Sequence, residues 1–199
     1  ELGERFDALK DKPIQFSLGE SYLEGLSAYD VVFLAPGLPK ELPQIKALAN
    51  SKVKISSEME LFLSLNPAKT IGITGSSGKT TTTTLIGKML DVEQCVHVGG
   101  NIGTPLLGRI GDITREDWVV LELSSFQLEI LHQSPNIAVV TNITPNHLDV
   151  HPSMEAYIAA KKRIFQFQSS NDILVVNYDD PTTRAFAEQA KGKVYFFSR

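Results

Sequence analysis

Cysteine is nearly missing from this 199-residue chain: Cys95 stands alone, so no disulfide can form within it. Tryptophan is as scarce, with one residue, and no apolar run approaches the ~18 residues that would suggest a membrane-crossing helix. A basic leader followed by an apolar stretch is missing as well. These absences point to a reducing, cytoplasmic compartment and away from a membrane partner. Neither sign of charge dominates, since 19 Lys and Arg face 23 Asp and Glu for a net −4. That balance excludes a nucleic-acid partner held by bulk electrostatics, and any anionic ligand has to be gripped locally. A hydrophobic share of 42% and a charged share of 21% exclude disorder and a coiled coil, and 14 Gly exclude collagen. The first residue is Glu1, and the chain is expected to be a piece of something longer.

Apolar runs punctuated by turn residues give the organisation. After Ile14 to Phe16, the run Asp30 to Ala35 reads as a buried strand entering the tight loop Pro36-Gly37-Leu38-Pro39. Helix is expected over Leu42 to Asn50, strand over Val53 to Ile55, and helix over Glu58 to Leu65, ended by Asn66-Pro67. A domain boundary is placed near residues 66 to 69. Beyond it, strands are expected over Thr70–Thr74, Val96–Val98, Trp118–Leu123, Ile137–Asn142, Ile173–Asn177 and Val194–Phe197, with helices over Thr80–Leu90, Met154–Gln168 and Thr182–Ala190. Continuous apolar strands alternating with helices imply an α/β fold, a mostly parallel sheet flanked by helices.

The segment Ile71-Gly-Ile-Thr-Gly75-Ser-Ser-Gly78-Lys79-Thr80 passes from strand to helix through small residues. Successive backbone N–H groups there can face one concavity, and the helix start adds partial positive charge, so the loop suits phosphate. Lys79 supplies a charge for the outer phosphates, and the Thr80 hydroxyl can ligate the magnesium of a nucleoside triphosphate. The usual spacing would put the first glycine at position 73, where Ile73 stands; this is a shortened variant ending in Gly75. An ordinary turn opening a helix remains the plainer reading of that string.

Strand Trp118-Val-Val-Leu-Glu122 ends in a carboxylate, which at the carboxyl edge of a parallel sheet lies beside the phosphate loop. Glu122 is a candidate magnesium ligand, against the alternative of a carboxylate that merely caps a strand. His147, in Asn142-Ile-Thr-Pro-Asn-His147-Leu-Asp149-Val-His151, is a second candidate, while His151 reads as a loop histidine. In the helix from Met154, positions 154, 157, 158, 161, 164 and 165 share a face, which sets Lys161 in an apolar stripe while Lys162 and Arg163 turn toward solvent. An ammonium in that place carries a desolvation cost and needs a partner or a modification, unless it snorkels to a rim.

Taken together, Gly75-Ser-Ser-Gly78-Lys79-Thr80, Gly99-Gly-Asn101-Ile-Gly103-Thr-Pro105, Leu121-Glu-Leu-Ser-Ser-Phe-Gln-Leu128, Asn142-Ile-Thr-Pro-Asn-His147-Leu-Asp149 and Ala159-Ala-Lys161 resemble the ATP-dependent Mur ligases of peptidoglycan synthesis. The Ser-Ser-Phe-Gln-Leu and Gly-Gly-Asn-Ile-Gly segments are similar to the branch that adds D-glutamate. The resemblance implies a ligase joining D-glutamate to UDP-N-acetylmuramoyl-L-alanine at the expense of ATP, through an acyl phosphate. It implies that residues 1–66 are the latter part of a Rossmann-like uridine-binding domain and 67–199 most of a P-loop ATP-binding central domain. A third domain would lie outside this chain.

By position, the resemblance puts Gly75, Ser76, Ser77, Gly78, Lys79, Thr80, Thr81 and Thr82 on the nucleotide phosphates. Thr80 and Glu122 would hold one magnesium and His147 the second, with Lys161 carbamylated to serve the metal site. Lys79, Glu122, His147 and Lys161 would form the catalytic set. Asn101, Ser124 and Gln127 would contact the muramoyl-alanine substrate, and Pro36 and Gly37 would face its diphosphate. The partners implied are small molecules, and a monomer is expected. One departure is Val150, where the family pattern has arginine. Three other readings share much of this pattern: another amide ligase of the Mur and folylpolyglutamate type, a P-loop phosphotransferase or nucleotide switch, and a nucleotide-binding scaffold.

Overall fold

Short apolar runs bounded by turn residues form strands, and the periodic runs between them form helices. The computed structural model describes Asp7 and residues 9–145 and 151–199. In chain order the elements are β1 (Val31–Phe33), α1 (Pro43–Leu48), β2 (Lys54–Ser56), α2 (Glu58–Leu65), β3 (Lys69–Thr74), α3 (Lys79–Leu90), β4 (Val96–Gly100) and β5 (Trp118–Glu122). Then follow α4 (Ser125–Leu128), β6 (Ile137–Val140), α5 (Met154–Gln166), β7 (Ile173–Asn177), α6 (Pro181–Ala185) and β8 (Lys193–Phe197), with 3-10 turns at Leu26–Ala28, Leu107–Asp112 and Phe186–Gln189. No helix among the described residues is long and apolar enough to cross a membrane.

The chain divides into two compact units, residues 1–32 with 40–54, and residues 33–39 with 55–199. In the smaller, α1 opens on Pro43, whose fixed φ suits a first helical turn, and it buries Ile45 and Leu48. Strands β1 and β2 pair in a two-stranded sheet. The larger unit is built on a six-stranded sheet in the order β4-β5-β3-β6-β7-β8, and every pairing in it is parallel.

Strand alternation distributes the core to both faces of that sheet. Val119, Leu121, Ala138, Val140, Leu174 and Val176 point to one face, against α2, α5 and Phe186. Their neighbours Val120, Val139 and Val175 join Ile71 and Ile73 on the other, against Ile86 and Leu90 of α3. Two apolar faces need two helical layers, which parallel crossovers supply. The sheet order changes direction at β3, with β5 on one side and β6 on the other. The crevice at the carboxyl end of such a switch point is where doubly wound sheets take their ligands.

Some boundaries differ from the sequence expectation. The two compact units divide near residue 55, and α2 packs Met59 and Phe62 into the core of the larger unit. An amphipathic helix reads the same whichever core it covers. Helix α5 stops at Gln166 because Gln168 is buried and its side-chain amide donates to the Pro135 and Ile173 carbonyls. The expected helix 182–190 divides into α6 and a 3-10 turn. The single turn α4 is too short to show a helical period.

Leu174 is fully buried in β7 within the larger core. Leu174→Ala is expected to cost about 2–5 kcal/mol of unfolding free energy, as measured by urea denaturation.

Candidate functional site

The loop leaving β3 is shaped by close approach. Gly75 has φ 152, and a Cβ there would meet the Thr141 hydroxyl at 1.9 Å, so no larger residue fits. Gly78 takes the left-handed conformation, φ 81, as the N-cap of α3. The strand after the loop's partner, β6, then holds the loop in place. Asn142 accepts from the Ser77 N–H at 3.0 Å and donates its amide to the Ser77 carbonyl at 3.0 Å, while its own carbonyl accepts from the Ser76 N–H. Thr141 donates its hydroxyl to the Ser77 carbonyl at 2.6 Å. The Ser76 hydroxyl bonds both the carbonyl and the N–H of Thr144 and meets the Tyr157 hydroxyl at 3.0 Å. The first N–H groups of α3 have no partners within the helix and open toward the loop. A cleft of about 370 Å³ adjoins it, lined by Ser77, Gly78, Thr82, Thr141, Asn142 and Asn177.

Glu122 ends β5 in register with Ile73 on one side and Gly100 on the other. It is buried, and each carboxylate oxygen has a donor: the Thr80 hydroxyl at 2.6 Å and the Asn101 amide at 2.9 Å. Asn101 also donates its backbone N–H to the Glu122 carbonyl at 2.8 Å. This approach depends on Gly100, whose φ is 94 and whose Cβ, were there one, would stand 2.2 Å from that carbonyl.

Lys161 is 1% exposed. Its Nζ donates to the Gly75 carbonyl at 3.0 Å and to the Thr74 hydroxyl at 3.3 Å, and it lies 4.7 Å over the Tyr157 ring. Lys79 Nζ donates to the same Gly75 carbonyl at 3.0 Å and to Ser76 at 3.3 Å. Two lysines thus converge on one oxygen. Burial, and then the charge of Lys79, lower the Lys161 amine from 10.5 to about 7. Such a pairing of cations favours an anionic ligand beside Lys79 and an uncharged or modified Lys161.

The other sequence candidates fall in different settings. Ser124 and Gln127 form a capping box at the start of α4: Gln127 Oε1 accepts from the Ser124 N–H and hydroxyl, and Ser124 Oγ accepts from the Gln127 N–H. Pro36 and Gly37 are exposed in a turn, and Thr81 is exposed while Thr82 faces the cleft. His147, Asp149 and Val150 lie outside the described residues. Arg163 is not a solvated residue as its helix position suggested: it is half-buried and donates Nε to the Leu128 and Leu131 carbonyls, closing the end of α4. Lys162, also half-buried, lies 5.4 Å over the Phe186 ring.

Several contributors were not singled out from sequence. Thr141, Asn142 and Tyr157 fix the phosphate loop; Asn142 was legible only as part of a longer string. His151 is buried rather than a plain loop residue. Its Nε2 lies 2.8 Å from the Ser125 hydroxyl and its Nδ1 3.1 Å from Glu129, with the ring stacked on Phe126. It ties the start of α5 to α4.

A parallel sheet with a glycine-serine loop entering a helix at its switch point has the architecture of P-loop α/β proteins. Residues 73–199 match the Mur ligase middle domain, and the chain belongs to the Mur ligase family. It is 54% identical over its whole length to a UDP-N-acetylmuramoylalanine–D-glutamate ligase of Symbiobacterium thermophilum and 52% identical to that of Acetivibrio thermocellus. It covers 44% and 43% of those proteins, so it spans less than half their length. Among solved structures, the MurF ligase of Thermotoga maritima in complex with ADP aligns with a TM-score of 0.56 at 26% identity, over 79% of this chain and 37% of that one. A UDP-N-acetylmuramoyl-L-alanyl-D-glutamate–2,6-diaminopimelate ligase aligns with a TM-score of 0.57 at 23% identity, over 85% and 48%, which shows likeness of fold.

The folded chain releases the Lys161 proton near pH 7, whereas the unfolded chain keeps it to the ordinary value of 10.5. Unfolding between those values takes up a proton, so this group makes stability rise with pH across that window, and its cost is fully present below it. In bicarbonate-free buffer, wild type should gain stability relative to Lys161→Met as pH rises above 7. A difference between the two that stays flat with pH would show that Lys161 titrates as an exposed lysine does.

Proposed function

We propose that this chain carries the ATP-handling part of a cytoplasmic, monomeric ligase that joins D-glutamate to UDP-N-acetylmuramoyl-L-alanine and releases ADP and phosphate. The observation that carries the reading is the convergence of Lys79 and Lys161 on the Gly75 carbonyl, beside the Thr80–Glu122 pair. The names of the relatives at 54% and 52% identity support the substrate pair. Residues 1–66 are assigned to the uridine-binding domain and 67–199 to the ATP-binding centre.

In this reading the substrate carboxylate attacks the γ-phosphoryl group, giving an acyl phosphate, and the amine of D-glutamate then displaces phosphate. An anion must approach a triphosphate, so the work is positioning and charge screening. Gly75 to Thr82 hold the phosphates with backbone N–H groups and the start of α3. Lys79 turns from the Gly75 and Ser76 carbonyls to the outer phosphates. Thr80 and Glu122 offer adjacent oxygens, a donor set that fits magnesium. When bound, that cation screens the phosphoryl group against the incoming carboxylate. Asn101 fixes the second Glu122 oxygen and, with Ser124, Gln127, Pro36 and Gly37, is assigned to the substrate.

His147 is assigned to a second magnesium, and Lys161 to that site as its carbamate. An amine near pKa 7 is largely free base just above neutrality, which is the form that adds carbon dioxide. The neutral amine bonds the carbon of carbon dioxide and releases one proton to solvent, which leaves a carbamate anion near Lys79 whose charge it offsets. A nucleotide switch or phosphotransferase has no use for that exchange.

Two measurements test this reading. With the complete protein, phosphate release from ATP should require both UDP-N-acetylmuramoyl-L-alanine and D-glutamate, and Lys79→Ala should lower it about 100-fold or more while cooperative unfolding is kept. Release without either substrate would overturn the ligase assignment. Native mass spectrometry in bicarbonate should find one added carbon dioxide in wild type and none in Lys161→Ala; an unmodified, fully active wild type would remove the carbamate role.

A further inference from the structure

The amino ends of β4 and β5 lie at the opposite edge of the sheet from the phosphate loop, and they bring together three side chains that the proposed ligase chemistry does not use. Cys95 and His97 are two residues apart along an extended segment, so both point to the same side. The parallel register that pairs Val96 with Trp118, continued by the bond from the Trp118 N–H to the Cys95 carbonyl, sets Asp117 beside them. His97 Nε2 lies 3.0 Å from Asp117 Oδ2 and 3.8 Å from Cys95 Sγ, and one donor atom from each residue falls within 4.8 Å of the others.

We propose that Cys95, His97 and Asp117 form a binding site for a thiophilic divalent cation such as zinc, which clamps the start of β4 to β5. A thiolate, an imidazole and a carboxylate are the donor types that such a cation selects over magnesium. Ligand atoms about 2.0–2.3 Å from one tetrahedral ion stand roughly 3.3–3.8 Å apart, close to the spacing found here. The cation takes the place of the proton shared by His97 Nε2 and Asp117, and Cys95 gives up its thiol proton on binding.

The surroundings suit that exchange. His97 and Asp117 are buried while Cys95 is exposed, which leaves an entry path and an open fourth position. The Thr114 N–H donates to Asp117 Oδ2 at 2.9 Å and its hydroxyl to Oδ1 at 3.0 Å, an outer shell that fixes the ligand. The Thr114 backbone bond and then His97 hold the Asp117 carboxyl below its usual range, so it is already the anion that a metal requires. A histidine–aspartate pair that only braces two strands would need no thiol at its open side.

Cobalt(II) is the probe, because a cobalt–thiolate bond gives a charge-transfer band in the near ultraviolet that oxygen sites lack. Added to the metal-stripped full-length protein, cobalt should raise this band, and zinc should bleach it by displacement. Cys95→Ser, an exposed change outside the ATP site, should abolish the band and leave magnesium-dependent activity unchanged. Thr114→Val should weaken cobalt binding about tenfold. Zinc should raise the thermal midpoint of wild type and not of Cys95→Ser. A protein with no cobalt–thiolate band, or one whose band persists in Cys95→Ser or is undiminished in His97→Gln, would overturn the proposal.

Discussion

One carbonyl oxygen organises this molecule's chemistry. The Gly75 carbonyl accepts from Lys79 on one side and from Lys161 on the other, and Lys161 is buried to 1% exposure. No folded protein gains by desolvating a free ammonium beside a second one. The arrangement makes sense only with anions in reach, and a phosphate loop one residue further along is where they would come from. In the proposed function the lysine pair and the loop act as one device: the loop sets the place of the anion, and the buried amine sets the charge behind it.

The rest of the fold serves to hold that carbonyl and its neighbours. Gly75 can approach Thr141 because it lacks a Cβ, and β6 lies next to β3 because the sheet order changes there. From the other flank, β5 delivers Glu122 opposite Ile73, and β4 delivers Asn101 through the turn at Gly100. A slip of one residue in either pairing would turn Glu122 to the opposite face. Packing on both faces prevents it, since Val119 and Leu121 occupy one core while Val120 occupies the other.

Sequence made some of this legible and concealed the rest for physical reasons. The strands and the parallel sheet followed from apolar runs alternating with helices, and Lys161 stood out because an amine inside an apolar stripe breaks the pattern. The loop motif announced itself through residue types that the backbone conformation demands. By contrast, the clamp of Asn142 on Ser77 joins residues 65 positions apart, and no local pattern encodes such a pairing. Arg163 misled because helix periodicity gives direction and not what meets the side chain; its target carbonyls, Leu128 and Leu131, lie at the end of a four-residue helix and just after it, where there is no period to read. That α2 packs into the core of the larger unit was concealed for a related reason, as proline ends a helix without saying which core the helix covers.

The two ends of β4 bear on one another. Along its length the strand is paired with β5 from Val96 opposite Trp118 to Gly100 opposite Glu122. Asn101 reaches the Glu122 carboxylate only in that register, yet among the described residues β4 is an edge strand, bonded on one side alone. Edge strands fray and slip more readily than central ones, and this one carries two glycines at its carboxyl end, which adds freedom where order is needed. A contact between His97 and Asp117 at the amino end therefore also steadies the register on which Asn101 depends at the far end. The His97–Asp117 contact already does this in part, at 3.0 Å and out of water. The placement of a polar pair at the start of an otherwise apolar strand is explained by that need: a directional contact specifies register, which nondirectional apolar packing along the strand does less well.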